Sequence, residues 1–559
     1  MTNWMKLLAA STALITANLG AEAMARPRAA PAAPAPQPAR QPNILVIVAD
    51  DLGFSDLGAF GGEIRTPNLD AIAHEGLRLT GFHTAPTCSP TRSMMLSGTD
   101  NHLAGHGSMA ELLAPNQRGQ PGYEGHLPND VATLADRLRG LGYATLMSGK
   151  WHLGTTADQQ PARRGFDRSF DLAQGGGNHF GKDIASSPAA RGTTYWQDGQ
   201  QLASLPAGFY SSDAYADHLI EFLKAGDTGR PFFGYLTFTA PHWPLQVPDE
   251  DLDRYKGRYA AGFEALRQQR LARLKSLGLV PPDTSAHDPL FKPGLSWREL
   301  TGEEQARQVR AMEIYAAMVE RMDRSVGRVI AHLKATGQYD NTIILFTSDN
   351  GAEGTDLARS ENPEFKARVS AADNRLENFG KATSYIGYGP GWAQAATAPS
   401  FLYKGLTTEG GTRVAAFIRW PGSARTGISN VYGNVMDVLP TLVEAAGGEW
   451  RGASHDGRAV RAVRGASWKP YLDGRAERVH APEEAIGSEL FGRRALRQGD
   501  WKLVDLGQGW QLFNIATDPG ETRDLAGQEP GRVKALVAAW DQYSKETGVV
   551  MPSTAPRFP

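Results

Sequence analysis

Residues 43–51 read Asn-Ile-Leu-Val-Ile-Val-Ala-Asp-Asp. The run Ile44-Leu45-Val46-Ile47-Val48 is apolar without alternation and rich in β-branched side chains. That is the pattern of a parallel strand buried on both faces. It stops at two carboxylates, Asp50 and Asp51. The same succession returns downstream. A helical stretch over 131–139 precedes a strand over 143–147, which runs into Lys150-Trp151-His152. A helix near 213–224 precedes a strand over 232–239, which ends at Pro241-His242. Met312, Tyr315, Val319, Met322, Val326, Val329 and Leu333 then recur every three or four residues, giving one apolar helix face. That helix leads into a strand over 342–347 ending at Asp349-Asn350-Gly351.

Strands alternating with helices predict an α/β fold, a large mixed, mostly parallel sheet with helices on both faces. Ligands of such sheets bind outside the carboxyl ends of the strands. Four strands here each deliver charged or metal-capable residues to that edge. From about Gly405 the strand-like runs shorten, at 414–420, 494–496, 501–504 and 510–513, and a helix over 529–543 follows. This predicts a catalytic domain over 43–404 and a smaller C-terminal α+β domain with an antiparallel sheet over 405–559. Residues 250–300 are polar and irregular and read as an insertion or cover segment.

The chain has 559 residues, with 58 Lys+Arg against 60 Asp+Glu, a formal net charge of −2. That balance argues against nonspecific nucleic-acid binding, which needs a clustered basic excess. A hydrophobic fraction of 41% is too high for a disordered chain. Residues 1–25 have the three parts of a cleavable export signal: Lys6, an apolar run to about Leu19, and Ala23-Met24-Ala25, with cleavage expected after Ala25. The Pro/Ala-rich stretch 26–42 reads as a semi-extended linker. A periplasmic or secreted protein is therefore expected, with no stable membrane association. Export delivers a chain to an oxidising compartment, yet the single cysteine, Cys88, leaves no partner for an intrachain disulfide. A lone cysteine is by default a small buried hydrophobe.

Asp50, Asp51, Asp349 and Asn350 offer only hard oxygen ligands, which suit Ca²⁺ or Mg²⁺. Either pair alone also reads as a cap or a turn. Two such pairs, about 300 residues apart and each closing a strong strand, favour a cation site. Arg92, Lys150 and Lys404 supply fixed positive charge, and His152 and His242 can transfer protons near neutral pH. A dication with these five groups describes a pocket for a tetrahedral oxyanion ester, either sulfate or phosphate. Phe180, Tyr195 and Trp196 hint at apolar contacts to the remainder of the substrate, although loop aromatics more often pack locally.

Cys88-Ser89-Pro90-Thr91-Arg92, followed by Ser97-Gly98, resembles the signature of the type I, formylglycine-dependent sulfatases. Asp50-Asp51, Lys150-Trp151-His152, His242, Asp349-Asn350-Gly351 and Lys404 stand around it in the order of that family. The likeness extends to Gly-Asp-Trp-Lys-Leu at 499–503 and Asp518-Pro519-Gly520-Glu521. The stretch 93–100 looks especially like the bacterial arylsulfatase branch. Ser97 departs from the Thr often found there but keeps a hydroxyl. The resemblance implies an alkaline-phosphatase-like fold and hydrolysis of aryl or alkyl sulfate monoesters. It further implies one Ca²⁺ held by Asp50, Asp51, Cys88, Asp349 and Asn350. Cys88 would be oxidised to Cα-formylglycine (3-oxoalanine) by a formylglycine-generating enzyme. The hydrated aldehyde would attack sulfur with help from Asp349. His242, with Lys404 and Lys150 on the sulfate, would protonate the leaving oxygen; His152 would take the proton whose loss expels sulfate; Arg92 and Lys150 would steady the diol. A phosphonate monoester or phosphodiester hydrolase with the same modified cysteine is the alternative. A monomer is the default.

Overall fold

The computed structural model describes residues 41–185, 192–227, 229–360 and 362–554. The expected export signal, and all of the linker but its last two residues, lie outside them.

Ten strands make one sheet. They are β1 (Asn43–Ala49), β2 (Leu77–Leu79), β3 (Ala144–Lys150), β4 (Arg168–Leu172), β5 (Tyr195–Gln197), β6 (Gln200–Gln201), β7 (Phe232–Thr237), β8 (Thr342–Ser348), β9 (Ala416–Arg419) and β10 (Gly427–Ser429). Their order is β10-β2-β9-β8-β1-β7-β3-β4-β5-β6. The central strands β8, β1, β7, β3 and β4 run parallel. Antiparallel strands flank them, β9 against β8 on one side and β5 against β4 on the other. The register places Ala49 opposite Ser348, and Val48 and Gly149 both opposite Thr237. The residues that follow each strand therefore emerge side by side, which is what the site requires.

Alternate residues of β1 serve two cores. Leu45, Ile47 and Ala49 pack toward the long helix Gly302–Ala335, whose Met312, Tyr315, Val319, Met322, Val326, Val329 and Leu333 are all buried. Ile44, Val46 and Val48 face the helices Cys88–Ser97, Leu134–Gly140 and Val438–Ala445. Each fully buried Leu, Ile or Val contributes roughly 1.5–3 kcal/mol, so a strand apolar on both faces is anchored twice. The long helix starts at a capping box in which Thr301 and Glu304 satisfy each other's backbone N–H groups. Thr133 and Asp136 do the same for Leu134–Gly140. These caps set the helix starts, the second of them three residues later than the sequence pattern predicts.

A separate antiparallel sheet of β11 (Ala485–Leu490), β12 (Arg493–Gln498), β13 (Trp501–Asp505) and β14 (Gln511–Asn514) lies C-terminal. The helix Pro530–Thr547 covers it, with Leu536, Trp540 and Tyr543 against Leu496, Leu503 and Leu512.

Three expectations need correction. The strand expected at 414–420 belongs to the large sheet, not the small one: β9 pairs with β8 and β2. Its run is apolar like a central strand, and only its position in the chain groups it with the shorter strands. The supposedly irregular 250–300 segment contains the helix Phe263–Ser276. That helix buries Arg267 on the carbonyls of His287, Pro399 and Ser400, and Arg270 on Glu63 and Asp56, so its inner face does not look apolar in sequence. Tyr195 and Trp196 are buried in β5, and Phe180 packs edge-on to Tyr210 at 5.3 Å; all three serve local packing. Among the described residues no helix is long and apolar enough to cross a membrane.

Candidate active site

The site sits at the carboxyl edge of the central strands. Asp50 and Asp51 follow β1, Asp349 and Asn350 follow β8, Lys150 closes β3, and His242 lies beyond β7. Cys88 is the first residue of the helix Cys88–Ser97, whose first turn accepts Pro90 and whose end is closed by Gly98 in the left-handed region. Four residues on, Arg92 returns to the same helix face as Cys88. Asp51 (φ 69°) and His152 (φ 56°) also adopt left-handed backbone, strain that a non-glycine residue keeps only where its surroundings hold it.

All ten residues singled out from sequence come together, and all are buried. His152 at 8% and His242 at 6% are the most exposed, so solvent reaches the cluster from the histidine side. Arg92 donates Nε and Nη2 to Asp349 Oδ2 at 3.0 and 2.8 Å, and Nη1 to the Lys150 carbonyl at 2.9 Å. Lys150 Nζ donates to Asp50 Oδ2 at 2.7 Å. Lys404 Nζ lies 2.7 Å from Asp51 Oδ1 and 3.1 Å from Glu353. Asn350 Nδ2 donates to Asp51 Oδ1 at 2.7 Å. The Cys88 thiol donates to Asp50 Oδ1 at 3.4 Å. His242 Nε2 stands 3.6 Å from Asp51 Oδ2.

The residues fit a hard cation. One ligand atom each from Asp50, Asp51, Cys88 and Asp349 lie within 4.8 Å of one another. Asp51 Oδ2 and Asn350 Oδ1 are buried and have no hydrogen-bond donor among the described residues; a divalent ion would satisfy such oxygens by coordination. Electrostatics divide the carboxylates. Burial, then Asp349, push Asp50 up to about 6 against the pull of Lys150. Burial also raises Asp51 well above its ordinary value, despite Lys404. Burial also acts on Asp349, but Arg92, Lys150 and Lys404 outweigh it and hold that carboxyl below its ordinary value. The Cys88 thiol is pushed well up, first by burial and then by Asp349. An unmodified thiol here is thus a poor nucleophile. Burial, then Lys404 and Lys150, depress His242.

Sequence reasoning missed three partners. Glu353 braces Lys404 and Glu111 Oε1 faces His152 Nε2 at 3.2 Å. Thr237 Oγ1 donates to the Lys150 carbonyl at 2.7 Å, fixing the end of β3. Glu353 follows the Asp349-Asn350 pair by only a few residues and was open to notice; Glu111 lies in a stretch without periodicity. Gly175 and Gly176 press on the two histidines: a Cβ on Gly175 would sit 2.5 Å from His152 Cε1, and one on Gly176 3.1 Å from His242 Cε1.

A cluster that fits a hard cation, beside buried Arg92, Lys150 and Lys404 at the edge of a doubly covered parallel sheet, suits a hydrolase of charged tetrahedral esters. The particular family follows from comparison. The sulfatase family matches residues 42–448. An uncharacterized sulfatase of Schizosaccharomyces pombe is 47% identical over 533 residues, 92% of this chain and 95% of its own. The arylsulfatase of Klebsiella aerogenes is 41% identical over 446 residues, 79% of this chain and 91% of its own. The crystal structure of Ps i-CgsB superposes with a TM-score of 0.65 at 25% identity, covering 92% of this chain and 95% of that one. The chain belongs to the sulfatase family and is a sulfuric ester hydrolase with the alkaline-phosphatase-like fold.

Proposed function

We propose that the chain hydrolyses aryl or alkyl sulfate monoesters with a formylglycine made from Cys88 and one calcium ion held by Asp50, Asp51, Asp349, Asn350 and position 88. The observation that carries this reading is the seat of Cys88. Its thiol is protonated, buried and surrounded by Asp50, Asp349, Lys150 and Arg92, an environment wrong for a thiolate and right for an oxygen nucleophile beside a cation. Hydrated formylglycine and a bound divalent cation would together supply an activated oxygen at position 88 and polarise the sulfate.

The chain's own residues divide the remaining work. Asp349, kept anionic by Arg92, is the proton acceptor beside position 88. Lys150 and Lys404 hold the sulfate oxygens. An anionic ester seated against them offsets the charges that depress His242, raises its proton affinity and fits it to protonate the leaving oxygen. His152 has its Nε2 committed to Glu111 and its buried Nδ1 unpaired. Its Nε2 carries the proton toward that carboxylate, so Nδ1 is the basic nitrogen available to take one. Trp243, edge-on to Phe365 and Tyr385 at 5.2 and 5.7 Å, flanks His242 and gives an aromatic wall for an aryl or alkyl group.

Because Cys88 is 1% exposed in the fold, its conversion precedes folding, and a formylglycine-generating enzyme acting on the unfolded chain is the maturation partner. We assign the mature protein to the periplasm or exterior as a monomer. Mass spectrometry of the peptide carrying Cys88 tests the reading: sulfur replaced by a carbonyl oxygen is expected. Fully active enzyme that retains the thiol would sink it. Turnover of matched aryl sulfates and aryl phosphonate monoesters should favour the sulfates.

A further inference from the structure

A cavity of about 400 Å³ opens between the large sheet and the C-terminal sheet, and none of the proposed catalytic residues lines it. Among its walls are His83, Glu409, Arg413, Tyr432, His480 and Arg497. Two of these groups are incompletely used. Arg413, 5% exposed, donates Nε to the Thr80 carbonyl at 2.7 Å and rests over Phe54 at 4.2 Å, yet its buried Nη1 has no partner among the described residues. Arg497 donates Nε to the Gly499 carbonyl at 2.6 Å, and its Nη1 is likewise buried without a partner among the described residues.

The acids nearby spend their hydrogen bonds on other groups. Glu409 is shared between His83 Nε2 at 2.9 Å and Lys502 Nζ at 2.8 Å. Glu484 faces His480 at 3.1 Å, and Glu477, largely exposed, pairs with Arg425 at 3.0 Å. Asp500 is exposed at the rim. Two arginines thus line one cavity, each with a buried donor left over. Each unpaired buried donor costs free energy that a shared anion recovers. Burial, only partly offset by Glu409 and reinforced by Arg497, depresses Arg413 to about 10, in keeping with a charge short of counter-charge. The rings of His83 and His480 approach Tyr432 at 5.2 and 5.6 Å, and the volume leaves room for more than a bare ion.

We propose that this cavity is a second anion site, taking a small oxyanion between Arg413 and Arg497: either free sulfate or the sulfate group of an ester. The site does not rest on the reading of Cys88; it uses the family's reaction product only as the natural probe.

Crystals of the full mature chain soaked in selenate test the first source by anomalous diffraction. A selenium peak within hydrogen-bond reach of Arg413 Nη1 and Arg497 Nη1 is expected. Arg497→Gln should weaken occupancy there about tenfold or more, the loss of one charge-assisted hydrogen bond, while aryl sulfate turnover stays near wild type. Arg413→Lys, which keeps the charge but loses the fork, guards against misfolding of Arg413→Gln. Crystals of Cys88→Ala soaked in phenyl sulfate test the second source, and density in the cavity with the ester alone would assign it to substrate. No anion in either soak, or occupancy indifferent to both arginine substitutions, overturns the proposal.

Discussion

Arg92 holds Asp349 through a single oxygen: Nε and Nη2 both donate to Oδ2, at 3.0 and 2.8 Å, with neither side chain reached by solvent. Oδ1 is left to the Asp51 amide at 3.3 Å and to whatever cation the cluster binds. Removing one partner of a buried pair strands the other as an unpaired charge, which costs roughly 3–5 kcal/mol. Arg92→Ala should therefore lower folding stability by about that amount as well as abolish turnover. Arg92→Lys keeps charge but loses the two-point grip and should fall between. Denaturant unfolding of the three proteins measures this, and a wild-type midpoint for Arg92→Ala would refute it.

Metal removal bears on the same cluster. Asp50, Asp51 and Asp349 are buried and converge, and an ion that binds only the folded state stabilises it by mass action, about 2.7 kcal/mol at a hundredfold excess over Kd. Chelation should lower the melting temperature and stop turnover, and added Ca²⁺ should restore both. The Asp51→Asn protein should show a smaller chelator effect. Equal melting curves with and without chelator would show that these carboxylates hold no structural cation.

Much of this was legible in sequence because the informative signals are local. Ile44–Val48 needs no partner to read as a doubly buried strand, and the Cys88–Arg92 spacing is one helical turn. What stayed hidden depends on contacts between distant segments. Arg267 and Arg270 look solvent-facing until backbone carbonyls and Glu63 from elsewhere receive them. Strand β9 could be assigned to the large sheet only through its pairing with β8, some 70 residues earlier. Glu111 acquires meaning only through His152.

That pairing yields a third prediction. Burial lowers the His152 imidazole, and the Glu111 carboxylate works the other way. Glu111→Gln keeps a hydrogen-bonding group but removes the charge. Partners of this kind typically govern about tenfold or more in activity. We expect kcat to fall by roughly that factor, KM to change little, and the acidic limb of the kcat profile to move to lower pH. A purely structural role for Glu111 would leave that limb in place, and an unshifted limb is the outcome that removes His152 from proton transfer.

The last prediction concerns how the C-terminal sheet is tied to the catalytic helix. His102, just beyond that helix, places Nδ1 on Asp100 at 2.9 Å and Nε2 on Glu489 of β11 at 3.2 Å, while the Tyr543 hydroxyl donates to Asp100 at 2.8 Å. Burial disfavours the His102 charge, but the two carboxylates outweigh it and push the imidazole up to about 9. The unfolded value is about 6.5. A group raised on folding stabilises fully below its unfolded pKa and loses that contribution as pH rises through its folded pKa. Stability from this triad should therefore be intact below about pH 6.5 and fade toward about pH 9, a change on the order of 3 kcal/mol. His480, pushed up to about 10, chiefly by Asp437 against the effect of burial, adds a slope of the same sign. The decisive quantity is accordingly the difference between wild type and His102→Gln. That variant should be less stable at pH 6 and converge on wild type near pH 9.5. A constant gap between the two unfolding curves across this range would mean that His102 is neutral in the fold.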